Sequence, residues 1–326
     1  MLPKPRPFVN ACYDPLVMTE YSIGLDLGGT NLRAAAIDRS GRLLDKISGA
    51  TKFEEGREAV LSDIVNAIAK LREKHGADGL AGIGVGIPGF IRMKEGVITG
   101  SNNLPYLENV PIRDEISRRL GTFVILENDA NAAALGEKWM GAGQHVDDLV
   151  LLTLGTGIGG GIISGGRIVR GAVGMAGEFG HVTAVPGGNP CGCGNQGCLE
   201  KHASATAVTA MARLMQLGED LSAKEVFDLA RGEGLVAEKA RTIWRVVGEN
   251  LGASIATLIN VFNFPLYLLS GGVLPAWEFF EPHMMRVARE RSFTFRATPN
   301  ETRIAKATLG NEAGLYGAAY LPWIEK

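Results

Sequence analysis

The sequence predicts an α/β protein of two lobes, each a mixed sheet flanked by helices. Three observations lead there. The chain has 326 residues, enough for two domains or one large two-lobed unit. Strand-like runs alternate along it with amphipathic helical patterns. The order of those runs also starts over midway: each half is entered by a strand that ends in a glycine-rich turn, DLGGTN at 26–31 and LGTGIGGG at 154–161.

The elements follow in order. Residues 1–19 hold four prolines and no period, and read as a loosely packed arm. Tyr21–Leu27 reads as a buried strand, and Leu32–Asp38 and Leu43–Ser48 continue it as an antiparallel meander. Ala59–His75 carries Val60, Ile64, Ile68 and Leu71 at helical spacing. Leu80–Ile87 and Phe123–Glu127 read as strands, and the alanine-rich run 128–139 as a helix. In the second half, Asp148–Leu154, Gly160–Ile163 and Arg167–Arg170 are strands, followed by a Cys/His segment at 171–202 with no counterpart in the first half. Helices are expected at Ala205–Leu217 and Glu238–Phe262, strands at Leu266–Ser270 and Arg303–Thr308, and a closing helix at Glu312–Tyr320. The expected division is an arm at 1–19, a smaller lobe at 20–127 plus 309–326, and a larger lobe at 128–308.

Composition excludes several functions. Basic and acidic side chains number 33 and 35, so the net charge of −2 lacks the basic excess of a nucleic-acid binder. Apolar runs break before the length of a membrane span, and the arm lacks the apolar core of an export signal, so a cytoplasmic protein is expected. The 44 glycines follow no three-residue period and gather at strand ends, where backbone must approach something closely.

The two glycine-rich turns are the first chemical signal. Gly28 and Gly29 would bare backbone N–H groups toward an anion, Thr30 and Asn31 add side-chain donors, and Asp26 at the strand end suits a magnesium ion held through water. Read alone, this stretch is equally a plain hairpin turn. Gly155, Gly157 and Gly160 match G-x-G-x-x-G, but Ile162 and Ile163 continue as a strand where a dinucleotide fold needs a helix. No Walker-type string occurs. A hairpin from each half, with Gly155, Thr156 and Gly157 in the second, would instead grip the β- and γ-phosphates of ATP from both sides.

His181, Cys191, Cys193 and Cys198 form the second signal, H-x9-C-x-C-x4-C. Four N/S ligands within 18 residues fit tetrahedral zinc, and four protein ligands make the ion structural. Unbound thiols or an adventitious disulfide are the alternatives. Asp129, in ENDANAAALGE at 127–137, falls where a helix begins, a position that favours an ionised carboxylate but equally suits a simple cap.

Taken together, the turns resemble the paired phosphate loops of the actin-like ATPase, sugar-kinase and heat-shock-protein superfamily. Within it the chain resembles the ROK family (repressors, open reading frames and kinases) from about Tyr21 to Tyr320. The resemblance implies the two-lobed, ribonuclease H-like fold of that superfamily. It implies that Asp129 is the base that takes the proton of the sugar hydroxyl, and that Asn128 binds the sugar. SNNLPY at 101–106 is similar to a family segment whose Asn touches the sugar, here Asn103, with Asn102 beside it and the register open by one. Gly89 in GIPG resembles backbone that lines the sugar site. GEFGH at 177–181 and CGCGNQGCLE at 191–200 resemble the family's sugar and zinc motifs, which assigns Glu178, His181 and Glu200 to sugar hydroxyls. Gly271 and Gly272 resemble the adenosine-binding turn.

The activity implied is ATP-dependent phosphorylation of the 6-hydroxyl of an aldohexose, glucose first, with Mg2+ and structural Zn2+ as cofactors. N-acetylmannosamine, N-acetylglucosamine, allose and fructose kinases share the same motifs. A sugar-responsive repressor of the family would carry a helix-turn-helix domain, for which the 19 residues ahead of the first strand are too few. The partners expected are hexose and ATP, with no nucleic acid and no membrane. A homodimer or homotetramer is expected from the family habit.

Overall fold

The structure is a computed structural model and describes residues 20–28, 31–100 and 104–325. The first sheet starts with the expected meander: β1 (Tyr21–Leu27), β2 (Asn31–Asp38) and β3 (Leu43–Ala50) pair antiparallel. Helix α1 (Arg57–His75) then returns the chain to β4 (Leu80–Ile87), which lies parallel to β1. A small hairpin, β5 (Phe90–Arg92) and β6 (Val97–Gly100), and helix α2 (Ile112–Leu120) precede β7 (Val124–Asn128), parallel to β4. The sheet order is β3-β2-β1-β4-β7. Helix α3 (Asp129–Met140) leaves directly from β7.

The second sheet repeats the plan. Strands β8 (Leu149–Leu154), β9 (Ile158–Ser164) and the short β10 (Arg167–Ile168) form its meander. Helices α4 (Glu200–Ala203), α5 (Ala205–Leu214), α6 (Ala223–Ala230) and α7 (Gly234–Phe262) lead to β11 (Leu266–Ser270), parallel to β8. Helices α8 (Trp277–Arg291) and α9 (Phe293–Ala297) lead to β12 (Arg303–Lys306), and α10 (Ala313–Ile324) closes the fold. The order β10-β9-β8-β11-β12 matches the first sheet strand for strand.

Side-chain alternation decides what each sheet face meets. Along β1, Tyr21, Ile23, Leu25 and Leu27 pack with Val60, Leu61, Ile64, Ile68 and Leu71 of α1. The intervening Ser22, Gly24 and Asp26 meet α10. Ser22 donates to the Ala319 carbonyl at 2.6 Å and accepts from Trp323 Nε1 at 3.1 Å. Along β8 the same division puts Val150, Leu152 and Leu154 in the outer core with α7, and Leu149 and Leu151 in the inner core with α3 and α10.

Helices α3 and α10 therefore lie side by side between the two sheets. They approach closely because Gly136 and Gly317 face the other helix's backbone, where a β-carbon on either would collide with a carbonyl oxygen, that of Ala313 or Ala132. Glu137 ties this pair to the end of the second sheet: fully buried, it accepts N–H groups from Ala142 at 2.8 Å, Thr308 at 3.0 Å and Leu309 at 2.7 Å. Four backbone and hydroxyl donors on one carboxylate offset much of the cost of burying it.

Several elements differ from expectation at their ends: β9 begins at Ile158 rather than Gly160, β12 stops at Lys306 rather than Thr308, and α10 runs on past Tyr320 to Ile324. Helix α7 begins at Gly234, a turn before Glu238, and α5 stops at Leu214, short of Leu217. Strand β10 covers only Arg167–Ile168, so Arg170 lies beyond it. The sequence pattern gave no sign of the hairpin β5–β6 or of helices α2, α4, α6, α8 and α9.

Candidate active site

Asp26 sits at the end of β1, just before the first glycine turn. Gly28 N–H donates to the Asn31 carbonyl at 2.8 Å and closes that turn; Gly29 and Thr30 lie outside the described residues. Gly314 at the start of α10 leaves room for the Asp26 carboxylate, since a β-carbon there would stand 2.7 Å from Oδ1. Gly86 of β4 lies beside it and within van der Waals distance of Ala132 on α3. Asp26 is thereby set next to the start of α3, which carries Asp129. Burial and then the Asp129 charge push the Asp26 carboxyl up to about 7, against the pull of Arg33, whose guanidinium stands 3.6 Å away.

The start of α3 is fixed by its cap. Asn128 Oδ1 accepts the N–H groups of Ala130 at 2.9 Å and Asn131 at 3.2 Å, and its Nδ2 donates to the Gly89 carbonyl at 3.1 Å. The orientation of this amide is forced, because only the oxygen can accept two N–H groups. Both acceptor sites are filled and one donor hydrogen goes to Gly89, while the same amide also favours the ionised Asp129 carboxylate beside it. Asp129 is half-buried and accepts the Ala130 N–H at 2.9 Å on Oδ1. Burial raises its carboxyl above the usual range, opposed by that N–H.

Behind the cap lies Glu127, 1% exposed. Its Oε1 accepts Asn128 N–H at 2.9 Å and Asn131 Nδ2 at 3.0 Å, and its Oε2 is paired with Arg170 at 2.7 Å. Sequence reasoning gave neither Glu127 nor Arg170 a role. The available signal was a lone carboxylate at the end of the otherwise apolar run Val124-Ile125-Leu126.

The second glycine turn, 155–157, joins β8 to β9. Its carbonyls are held from behind by the start of α5: Gly155 accepts Ala205 N–H at 2.8 Å, and Thr156 accepts the Thr206 hydroxyl at 2.7 Å. Gly159–Gly161 belong to β9, not to the turn. They are small because Ala130 and Ala134 of α3, and Phe179, press on that strand. Gly271 abuts the Leu154 carbonyl, and Val273 N–H donates to the same carbonyl at 3.2 Å, so the turn at 271–272 sits against the end of β8.

The Cys/His segment completes the site. His181 Nδ1 is 3.6 Å from Cys191 Sγ, and Cys193 Sγ is 3.6 Å from Cys198 Sγ. All four ligand atoms lie within 4.8 Å of one another. Tetrahedral Zn–S bonds of about 2.3 Å place ligand atoms just under 4 Å apart, so the donor set and its spacing fit zinc. Because His181 presents Nδ1 to this cluster, its Nε2 is left for another partner. Glu200, at the start of α4, accepts the Cys191 thiol at 3.4 Å, and its Oε2 would stand 2.8 Å from a β-carbon on Gly157. Glu178 is raised by burial, lowered by His181, and raised again by Asp129 and Glu200. The fold thus links Asp26 to Asp129, Asp129 to Glu178, and Glu178 to His181 and Glu200, with Asn128 bonded to Gly89 and Glu200 against Gly157 of the second glycine turn. Asn102 and Asn103 lie outside the described residues.

Two sheets of matching strand order around a central helix pair, with carboxylates gathered where the strands end, are the architecture of a phosphotransferase of the actin-like ATPase superfamily. The chain belongs to the ROK family, which matches it over residues 22–324. It is 38% identical over 311 residues to a glucokinase of Thermotoga maritima, covering 91% of this chain and 95% of that one. Among solved structures, a ROK hexokinase from Thermus thermophilus superposes with a TM-score of 0.81 at 35% identity, covering 94% and 98% of the two chains. A ROK family glucokinase from Streptomyces griseus, solved with glucose and AMPPNP, gives a TM-score of 0.76 at 34% identity, covering 92% and 98%. No described helix is long and apolar enough to cross a membrane.

Proposed function

We propose that the protein transfers the γ-phosphoryl group of ATP to the 6-hydroxyl of glucose. The observation that carries this reading is the placement of Asp129 at the start of α3, near Asp26 at the end of β1 and near Glu178, whose neighbour Glu200 stands against the second glycine turn. The two glycine turns are built for phosphate, and glucokinases are among the relatives that cover nearly the whole chain.

Asp129 is the base. Phosphoryl transfer asks the protein mainly for positioning and charge stabilisation. The sugar oxygen forms its bond to the γ-phosphorus as the bond to the β–γ bridging oxygen breaks, ADP leaves, and the hydroxyl proton passes to Asp129. Because an alcohol is far less acidic than any carboxyl, Asp129 orients the hydroxyl first and takes the proton late. Its raised pKa makes it a better acceptor than an ordinary aspartate.

The side-chain amide of Asn128 serves a sugar oxygen. Glu178, Glu200 and His181 Nε2 accept or share sugar hydroxyls, with Asn103 and the Gly89 backbone on the same ring. Gly28, Gly29, Thr30 and Asn31 face the phosphates from one side, and Gly155, Thr156 and Gly157 from the other. Gly271 and Gly272 pack against the nucleoside.

Asp26 fits magnesium, since a cation relieves the crowding that pushes its carboxyl up, and magnesium bound there would neutralise phosphate charge. His181, Cys191, Cys193 and Cys198 would hold zinc as a structural ion, which would fix the segment that carries Glu178 and Glu200. The lobes divide at 20–127 plus 309–326 and 128–308, each with its own sheet. A cytoplasmic homodimer or homotetramer is the assembly that accords with the family.

The test is a coupled ADP-release assay across a hexose panel. Glucose is expected to give the highest kcat/KM, ahead of N-acetylmannosamine, N-acetylglucosamine, allose and fructose. No sugar-dependent ADP release from any hexose would overturn the reading.

A further inference from the structure

Arg170 joins three parts of the chain. It follows β10 of the second sheet, pairs with Glu127 at the end of β7 in the first sheet at 2.7 Å, and pairs on its other side with Glu325 just past α10. Glu127 in turn holds Asn128 N–H and the Asn131 amide, the two residues that define the start of α3. The chain of contacts therefore runs Arg170, Glu127, Asn128, and ends one residue from the proposed base.

A buried carboxylate with one charged partner is stable only while that partner stays in place. Glu127 is 1% exposed and has no other cation among the ion pairs of the described residues. Arg170 itself is 24% exposed and forms part of the wall of a cavity of about 800 Å³ that is also lined by Arg39, Arg113, Trp323 and Glu325. That cavity lies at the opposite end of β4 and β7 from Gly89 and Asn128, since Leu80–Ile83 and Phe123 also line it.

Resting on the phosphotransfer reading, we propose that Arg170 and Glu127 are positioning residues for the reaction. Arg170 clamps the Glu127 carboxylate, Glu127 fixes Asn128 and Asn131, and the start of α3 is thereby held so that Asp129 meets the acceptor hydroxyl. The pair touches neither sugar nor nucleotide. Its effect is on aim, and misplacement of a reacting group by about 1 Å costs roughly a hundredfold in rate.

The experiment measures kcat and both KM values for the wild type, Arg170→Ala, Arg170→Lys and Glu127→Gln, with melting curves for each. Arg170→Ala is expected to lose roughly ten- to hundredfold in kcat with ATP KM nearly unchanged. Guanidinium at tens of millimolar, entering through the cavity, is expected to restore much of that loss, and to restore nothing in Glu127→Gln. Arg170→Lys keeps the charge but not the planar grip, and is expected to fold and to lose part of kcat. The inference is overturned if folded Arg170→Ala turns over like the wild type, or if its loss resists guanidinium. Should the alanine variant not fold, unchanged kcat in Arg170→Lys overturns it. A wild-type chain that phosphorylates no hexose overturns the functional reading itself, a result distinct from an active wild type with indifferent Arg170 variants.

Discussion

Asp26 and Asp129 share one electrostatic field. Burial first, and then the charge of Asp129, push the Asp26 carboxyl up to about 7. Two carboxyls brought together at the end of β1 and the start of α3 do not help the fold. They prepare a place where a metal-bound phosphate chain and a proton-accepting group work side by side.

The stability consequence has a definite sign. A carboxyl raised from 3.8 to about 7 in the folded state contributes stability that is full below 3.8 and lost as pH rises through about 7. In the absence of magnesium and nucleotide, Asp26→Asn is expected to melt above the wild type at pH 8, with the gap closing by pH 5. Equal melting temperatures at both pH values would contradict the placement of Asp26.

Turnover carries its own acid limb. Asp129 must be ionised to accept a proton, and burial raises it. The fall of kcat on the acid side is expected at a pH above the ordinary carboxylate range of about 4. Asp129→Asn should retain glucose affinity, measured by calorimetry, and lose roughly a hundred- to ten-thousandfold in kcat. Near-native turnover in that variant would remove Asp129 from the reaction.

Asn128 allows a sharper substitution. Asp caps a helix as well as Asn does, so Asn128→Asp keeps the bonds to Ala130 and Asn131 while losing every N–H of the side chain. Its melting temperature is expected to fall, because the Gly89 bond is lost and a charge is added between Glu127 and Asp129. Its glucose Kd, measured without nucleotide, should weaken roughly tenfold or more, the cost of leaving a buried acceptor unpaired. An unchanged Kd would show that the Asn128 amide does not reach the sugar.

The Cys/His cluster is checked by metal analysis and by its removal. The purified chain is expected to hold about one zinc per molecule. Cys193 is the exposed member of the set, and Cys193→Ser should lower both zinc content and thermal stability and raise the glucose KM. A zinc-free wild type with full activity would contradict the site.

Glycines separate into packing and ligand roles. Gly317→Ala would drive a β-carbon into the Ala132 carbonyl and is expected to cost on the order of 1–3 kcal/mol in urea unfolding. Gly272 has open space around it. Gly272→Ala should leave stability alone and raise the ATP KM. The reverse pattern would exchange their roles.

Much of this was legible in the sequence because the signals were local. The meander β1–β3, the helix that follows Asn128 and the spacing of His181 with three cysteines each lie within a few dozen residues. The hairpin β5–β6 was not legible, since strands of three and four residues are too short to show alternation. Helix α8 was hidden by Pro282 within it and by its aromatic-rich start, Trp277, Phe279 and Phe280. Glu127 and Arg170 stand 43 residues apart, and Glu137 bonds to residues 171 and 172 positions away. Such pairs exist only after the sheets close around α3 and α10. Strand patterning carries no information about them.

The most direct measurement follows the phosphorus itself. With ATP, magnesium and glucose, phosphorus NMR is expected to show a sugar phosphate monoester growing in step with ADP, its signal split by the two protons of the sugar's C6 methylene. Inorganic phosphate as the only product, or no consumption of ATP, would contradict transfer to the sugar hydroxyl in this cleft.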